Sequence, residues 1–523
     1  MRTLAWAIGL AAAAPAAAQS VPVEERSAAT LADALASGRT TAEALTRAYL
    51  ARIAEIDRTG PTLRSVIAIN PDAVAQARAL DAERRAGRVR GPLHGLPVLI
   101  KDNIETRENA TTAGSLALAD NRTGRDAPVV ARLRAAGAVI LGKTNLSEWA
   151  NIRSDSSMSG WSAVGGLVRN PYALDRTSCG SSSGTGAAIA ASLAAIGVGT
   201  ETDGSVVCPS AMNGLVGLKP GIGLVSRTHV VPISHSQDTP GPMGRSVRDV
   251  ALLLTAMVGS DPADPVTAEA DGKRRDYAAG LSADALKGVR LAVLRPTMPP
   301  ALAERYAAAL DRLRAAGAVL VEAKLPDLPG LGANELTVLK AELKADLNAY
   351  LASVPANGQP RTLAEVIAFN EREAAREMPF FGQELFVAAQ AMPGLDDPAY
   401  QRARADSQRQ AAAAIDGVLR QAQAAAIVSP TYGLPWLSDP ANGDQFSGPS
   451  ASQLPAVSGY PHLTVPMGLA RGQPVGLSFI GTADSEGTLL RAGYAYEAAA
   501  RARVAPTYPA SAPAMLDGSV GAR

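Results

Sequence analysis

One stretch of small residues constrains this chain more than any other part of its sequence. It covers residues 177–209 and reads TSCGSSSGTGAAIAASLAAIGVGTETDGSVVCP. Three serines, Ser181 to Ser183, stand between glycines near its start, and a lone serine, Ser205, follows a Gly/Thr/Asp turn near its end. Small residues let a backbone approach a substrate or a neighbouring element closely. We therefore expect two serine-bearing turns, joined by one buried helix, that bring two hydroxyl groups to a common centre.

The composition excludes several classes of function. The 523 residues carry 50 basic and 49 acidic side chains, and no block of like charges stands out, so we expect no nucleic-acid partner. The four histidines are scattered, and neither H-E-x-x-H nor C-x-x-C occurs, so neither a metal nor a cofactor is implied. A content of 47% hydrophobic residues is enough for a large core.

The first residues have the pattern of a secretory signal peptide. Arg2 supplies a positive start, residues 4–14 form a short apolar run, and residues 16–18 give a small-residue cleavage site. We expect residues 1–18 to be removed and the mature protein to be exported, periplasmic or secreted, with no membrane span. A buried N-terminal helix is the competing interpretation.

Strands alternate with helices along the rest of the chain, which predicts an α/β layered fold. The apolar run LPVLIKDN, residues 96–103, has the character of a strand that is covered on both faces. Residues 262–425 change to helical periodicity without a clear linker, which indicates an insertion or cap within one domain over residues 19–510. A loosely held tail is expected over residues 511–523.

Two cysteines, Cys179 and Cys208, flank the serine-bearing stretch. An even number of cysteines in an exported protein permits a disulfide, and each lies within three residues of a candidate active-site serine. Two small buried thiols fit the sequence equally well, so both interpretations stay open.

Lys101, which ends the apolar run, is a candidate base. An arginine keeps its proton in a protein, whereas burial can lower the pKa of a lysine until its amine accepts a proton. An ion pair between Lys101 and the neighbouring Asp102 is the competing interpretation, and the residues alone do not decide between the two.

Ser205 is the best candidate nucleophile. It ends the turn GTETDGS, in which Gly204 allows a sharp bend and successive backbone amides can point inward together. Such a row of N–H groups stabilises an oxyanion, and the loss of one donor costs about 3 kcal/mol of barrier. An ordinary Gly-Ser turn is the competing interpretation.

The motifs GLPVLIKDN, GSSSGTG and GTETDGS resemble those of the amidase signature family, and the resemblance covers most of the chain. The last two are similar to the forms found in bacterial peptide amidases. In that family a lysine acts on the nucleophilic serine through a second serine, which follows a cis peptide bond. The resemblance implies that Lys101 is the base, Ser181 the bridging serine and Ser205 the nucleophile.

The same resemblance implies the rest of the site and the fold. The backbone amides of Thr202, Asp203, Gly204 and Ser205 would line an oxyanion hole. The serine-rich loop over residues 154–161 would line the pocket, although a surface loop is the plainer interpretation. The fold would be one large, mixed and mostly parallel twisted sheet between helices.

Three positions depart from the family pattern. Cys179 replaces a usual glycine, Asp203 replaces a frequent glycine, and Val207 replaces the arginine that is common two residues after the nucleophile. Where that arginine binds an acidic substrate, its absence argues against dicarboxylic half-amides. A neutral or peptide-like amide fits better.

Two other motifs match the sequence only literally. Residues 180–184 match G-x-S-x-G, the nucleophile elbow, but that elbow needs a strand immediately before it, and NPYALDRTSC contains a proline and no apolar run. Its histidine would have to be His229, His235 or His462. Residues 137–144, GAVILGKT, match the P-loop pattern, but the interior residues of that match are themselves a predicted strand.

The sequence thus predicts an exported serine amidohydrolase that releases ammonia from a carboxamide, with the C-terminal amide of a peptide as the first choice. A broad aliphatic or aryl amidase is the alternative within the class, and an inactive binding protein of the same fold is the alternative outside it. A tRNA-linked amidotransferase subunit is disfavoured, because that work is cytosolic. We expect a monomer, with a dimer as the alternative.

Overall fold

The computed structural model describes residues 22–513. The predicted signal peptide and the predicted tail beyond residue 513 lie outside the described residues. The main feature of the described chain is one mixed sheet of eleven strands. In chain order the strands are β1 Val66–Ile69, β2 Pro97–Lys101, β3 Val139–Thr144, β4 Ile196–Glu201, β5 Val216–Lys219, β6 Thr239–Gly244, β7 Arg290–Val293, β8 Val319–Glu322, β9 Ala426–Pro430, β10 His462–Ala470 and β11 Gln473–Ile480.

The strands are ordered β1-β3-β2-β4-β6-β5-β10-β11-β9-β7-β8 across the sheet, and helices flank it. The α-helices are α1 Ala28–Ala36, α2 Ala42–Arg52, α3 Ala73–Arg85, α4 Pro128–Ala135, α5 Ser183–Ala190, α6 Val207–Met212, α7 Val247–Met257, α8 Pro300–Ala315, α9 Leu331–Ser353, α10 Leu363–Arg372, α11 Ala374–Glu377, α12 Glu384–Gln390, α13 Pro398–Ala422, α14 Gln453–Ser458 and α15 Glu486–Ala500. Shorter segments are a π-helical turn, Ile53–Thr59, and 3₁₀ turns at Leu116–Leu118, Glu148–Asn151, Pro265–Thr267 and Ala270–Lys273.

The expectation of one large mixed sheet between helices is confirmed, but the parallel share is smaller than expected. Of the ten neighbouring strand pairs, four are parallel: β3 with β2, β2 with β4, β9 with β7, and β7 with β8. The other six are antiparallel. One reason is the tight connection between β10 and β11, which leaves only two residues, Arg471 and Gly472, to reverse the chain.

Strands β4 and β6 were not predicted from the sequence. One buried helix was expected between the two serine turns, but the connection contains the helix α5 and then the strand β4. Strand β6 reads TPGPMG and lies between β4 and β5, inside the sheet. Proline lacks an N–H and is normally confined to edge strands, so this sequence predicts a loop.

The strands that carry the candidate site are buried along their whole length. Every residue of β2, β3 and β4 is buried, as expected for parallel strands that are covered on both faces. Because β2 and β4 pair in parallel, with Ile100 opposite Val198, their carboxyl ends meet at one edge of the sheet. This pairing brings Lys101 beside the turn that follows β4.

Residues 262–425 contribute two strands to the common sheet and several helices outside it. Strands β7 and β8 extend the common sheet beyond β9. Helices α9, α10 and α12 form an apolar cluster that includes Trp149, in the 3₁₀ turn that precedes the serine-rich loop. Within residues 22–513, no helix combines the length and apolar composition needed to cross a membrane.

Candidate active site

Lys101 is fully buried at the end of β2, against the start of the serine-bearing stretch. Its Nζ lies 2.7 Å from the hydroxyl of Ser181, 2.8 Å from that of Thr200 and 3.3 Å from the Thr200 carbonyl oxygen. Three oxygens therefore surround the amine, and one of them belongs to the predicted bridging serine.

Burial lowers the pKa of Lys101 to about 7, although the negative charges of Asp238 and Glu201 act in the opposite direction. Among the described residues no carboxylate forms an ion pair with Lys101. The competing interpretation, a pair with Asp102, is wrong because Asp102 binds Lys143 instead, at 2.9 Å. The arrangement thus favours an amine that can accept a proton near neutral pH.

Ser181 lies in a tightly packed turn. The peptide bond between Gly180 and Ser181 is cis, as the resemblance implied. A Cβ on Gly180 would lie 2.2 Å from the hydroxyl oxygen of Ser147, so only glycine fits there. The backbone N–H of Ser147 also donates to the Ser181 carbonyl at 3.0 Å, which fixes the turn.

Ser205 ends the turn that follows β4, and 8% of its surface is exposed. Gly204 has a φ of 83°, and a Cβ there would lie 2.1 Å from the hydroxyl of Tyr432, so this bend also requires glycine. Within residues 22–513, the backbone N–H groups of Asp203, Gly204 and Ser205 donate to no protein acceptor. These free donors are what an oxyanion hole needs.

The two serine turns are joined to each other twice. The N–H of Ser182 donates to the Ser205 carbonyl at 3.2 Å, and a disulfide links Cys179 to Cys208. The cysteines were expected to form either a disulfide or two buried thiols, and the structure contains the disulfide. Among the described residues, the hydroxyls of Ser181 and Ser205 make no hydrogen bond with each other, and catalytic hydrogen bonds are often long before substrate binds.

Several neighbours of the site were not predicted. Thr200 lies inside the motif GTETDGS, but nothing in the sequence marked it as a contact of Lys101. Asp238 lies outside the motifs. Asp238 is buried, and it accepts a hydrogen bond from the Thr202 hydroxyl at 2.6 Å. Burial raises its pKa to about 6. Glu201, also buried, accepts from the N–H groups of Val206 and Val207 and so fixes the chain after Ser205.

The serine-rich loop packs against the Ser181 turn. The N–H of Gly160 donates to the Ser147 hydroxyl at 2.8 Å, and Ser159 donates to Asp444 at 2.5 Å. Trp161 contacts Phe380 and Phe381, with ring centroids 5.6 and 5.3 Å away. Phe380 is 44% exposed, so this aromatic group reaches the surface.

The other motifs do not form sites. No strand immediately precedes Gly180, which excludes the nucleophile elbow, and residues 139–144 of the P-loop match are strand β3. His235 lies against Glu342 and Asp346 of α9 rather than against a serine. A cavity of about 920 Å³ lies between β7, β8, β9 and the start of α9, but Lys101, Ser181 and Ser205 are not among its lining residues.

Comparison with known proteins identifies the family to which the chain belongs. A family model described as Amidase matches residues 44–490. A probable amidase of Arabidopsis thaliana is 38% identical over 489 residues, covering 90% of this chain and 89% of that protein. The native peptide amidase of Stenotrophomonas maltophilia is 50% identical, with a TM-score of 0.90 over 93% of this chain and 99% of that one. A peptide amidase in complex with the competitive inhibitor chymostatin is 51% identical, with a TM-score of 0.90 over 93% and 100%. The chain therefore belongs to the amidase signature family and is an amide-hydrolysing enzyme.

Proposed function

We propose that this enzyme hydrolyses the C-terminal carboxamide of peptides, with Ser205 as nucleophile, Ser181 as proton relay and Lys101 as base. The observation that carries the proposal is the 2.7 Å contact between Lys101 Nζ and Ser181 Oγ, in a buried place without a counter-ion among the described residues. A serine hydroxyl needs a base to attack at neutral pH, and a neutral lysine supplies one.

The reaction proceeds through an acyl-enzyme. Neutral Lys101 accepts a proton from Ser181, which accepts one from Ser205 while the Ser205 oxygen bonds to the carbonyl carbon. The tetrahedral oxyanion faces the N–H groups of the turn over residues 202–205. Ser181 then returns a proton to the nitrogen, the C–N bond breaks and ammonia leaves. Water attacks the ester by the same relay and releases the carboxylic acid.

The substrate class rests on two observations. Val207 stands where an arginine could otherwise bind an acidic substrate, so a neutral acyl group is favoured. The chain also shares half of its residues with a peptide amidase along nearly its full length. A broad aliphatic or aryl amidase is the alternative, and it would give similar kcat/KM values for a peptide amide and a simple aliphatic amide.

The test is ammonia release from a short N-acetylated peptide amide by the parent, by Ser205→Ala and by Ser210→Ala. Ser210 is a matched control, because it is buried in α6 and its hydroxyl has no hydrogen-bond partner among the described residues. We expect release by the parent and by the Ser210 variant only. Equal release by the Ser205 variant would move the nucleophile to the Ser181–Ser183 run. No release by any of the three, with fluorophosphonate labelling of Ser205 intact in the parent, would discard the peptide amide as substrate.

We also propose that the enzyme is exported. The pattern of residues 1–18 supports this, and so does the disulfide between Cys179 and Cys208, since disulfides persist in oxidising compartments. Expression of the full chain with cell fractionation tests the proposal. We expect activity in the periplasm or medium, and activity confined to the cytoplasm would overturn it.

A further inference from the structure

Glu335, in helix α9, holds an unusual position for a carboxylate. It is 6% exposed, and each of its oxygens accepts a hydrogen bond from a side-chain amide. Gln237 donates to Oε1 and Gln453 donates to Oε2, both at 2.9 Å. The two glutamines come from different segments, the loop before β6 and the start of α14. Glu335 therefore ties three distant parts of the chain together at one buried point.

This point lies against the turn that forms the proposed oxyanion hole. The same Gln237 amide reaches the Thr202 carbonyl at 3.4 Å. On the other side, Gln453 follows Ser452, whose hydroxyl lies 2.6 Å from that of Tyr432. A Cβ on Gly204 would lie 2.1 Å from the Tyr432 hydroxyl and 3.1 Å from the Ser452 hydroxyl, so both pack directly on the bend. Glu335 thus supports the turn from two sides without lining the triad.

The turn also presents its own carboxyl group to this place. Oδ1 of Asp203 is buried and has no hydrogen-bond partner among the described residues. The charge of Asp203 acts on Glu335: burial first, and then Asp203, raise the pKa of Glu335 to about 8. Two neighbouring carboxyl groups do not both ionise readily, so Glu335 keeps its proton at neutral pH and does not repel Asp203.

We propose that Glu335 is a positioning residue for this enzyme: through Gln237 and Gln453, and as long as it is uncharged beside Asp203, it holds the backbone amides of residues 203–205 in the geometry that receives the oxyanion. The proposal rests on the proposed function, because it assumes that this turn is the oxyanion hole. It gives helix α9, which is remote in sequence from the motifs, an indirect part in catalysis.

The sign of the pH effect follows from the protonated form. The support is present while Glu335 keeps its proton; as the pH rises through about 8, Glu335 becomes charged and repels Asp203, and the support is lost. The charged and titratable groups that act on Asp203 or respond to its charge are Lys219, Glu201, Tyr432 and Glu335. Burial lowers the pKa of Lys219 to about 8, so Lys219 is the competing cause of any alkaline loss of activity.

The test compares Glu335→Gln and Glu335→Ala with the parent, using kcat and KM across the pH range on any carboxamide that the parent hydrolyses. A glutamine is uncharged at every pH, so we expect Glu335→Gln to lose the alkaline decline. Its single amide oxygen can accept from only one of Gln237 and Gln453, so kcat near neutral pH should lie between those of the parent and Glu335→Ala. Glu335→Ala should lower kcat about 10- to 100-fold with little change in KM, since a misplaced oxyanion hole weakens transition-state binding. Rates are to be scaled to the fraction of protein that fluorophosphonate labels.

Glu377→Gln is the matched control. Glu377 is a buried carboxylate in the same half of the chain, and it accepts hydrogen bonds from Ser115 and Leu116 rather than from Gln237 and Gln453. We expect this variant to keep the alkaline decline of the parent.

Three results would overturn the inference. The first is an unchanged alkaline decline in Glu335→Gln, which would point to Lys219. The second is loss of that decline in Glu377→Gln as well. The third is an unchanged kcat per labelled site in Glu335→Ala. If Glu335→Ala does not fold, Glu335→Gln alone decides. Failure of the proposed function would be recognised by a different result, because Ser205→Ala would then retain activity.

Discussion

Lys101 and Lys143 occupy matching places in the core but have opposite surroundings. They lie near the ends of the paired parallel strands β2 and β3, and both side chains are fully buried. Lys143 lies 2.9 Å from Asp102 and donates to Thr111 at 3.0 Å. Within the described part of the chain, the Lys101 amine contacts only hydroxyl and carbonyl oxygens, from Ser181 and Thr200.

The alternation of side chains along a strand explains the difference. Successive residues point to opposite faces, so Asp102 cannot share a face with Lys101. Ile100 pairs with Lys143, which places Lys143 and Asp102 on the same face. One face of the strand pair therefore contains a buried ion pair and the other contains a desolvated amine. Burial without a counter-ion is what makes a lysine useful as a base, and the same burial destabilises the fold.

The largest effect is expected from removing the base. Lys101→Ala should lower kcat/KM at neutral pH between about 100- and 10,000-fold, the usual contribution of a general base. Part of the loss should be recovered at alkaline pH, where hydroxide can replace the amine. The measurement is ammonia release against pH. Activity equal to the parent at pH 7 would remove Lys101 from the mechanism.

Lys143→Met should lower the free energy of unfolding by about 3–5 kcal/mol, because Asp102 is left buried and charged without its partner. The enzyme that remains folded should keep the pH profile of the parent. Urea denaturation gives the free energy of unfolding, and kinetics below the denaturation midpoint give the pH profile. A shifted acid limb in this variant would mean that the two lysines are not independent.

Lys101→Met should have the opposite effect on stability. The folded pKa of about 7 lies below the ordinary value of 10.5, so the unfolded chain binds more protons between these limits and Lys101 destabilises the fold there. Replacing it should raise the free energy of unfolding at pH 7 by about 1–4 kcal/mol, as found when apolar residues replace buried charges. The gain should shrink as the pH rises towards 10.5. A loss of stability in paired urea titrations would show that Lys101 is structural, like Lys143.

The smallest effect concerns the charge that opposes the burial of Lys101. The carboxylate of Asp238 raises the pKa of Lys101, so Asp238→Asn should move the acid limb of kcat/KM to lower pH. Asparagine keeps the side-chain size and can still bind the Thr202 hydroxyl. If the acid limb disappears instead of moving, then Asp238 itself is the group that titrates.

The sequence predicted those parts of the site that lie in short contiguous motifs. Lys101 ends a buried strand, and the turns at Ser181 and Ser205 each depend on an adjacent glycine whose Cβ would collide with a neighbour. Asp238 and Glu335 could not be predicted in the same way, because folding brings them to the turn from distant positions. Strand β6 was missed since Pro240 and Pro242 argue against a strand, and the pairing of Asp102 depends on register that only the folded sheet fixes.

The most direct test of the account is the pH dependence of kcat/KM for the parent enzyme on a carboxamide substrate. If neutral Lys101 is the base, kcat/KM should rise about tenfold per pH unit through the acid range, as for loss of a single proton, and level off near pH 7. The same midpoint should be found in Lys143→Met. A rise that continues towards 10.5, the value of an ordinary lysine, or no acid limb at all, would contradict the central claim that burial prepares Lys101 for catalysis.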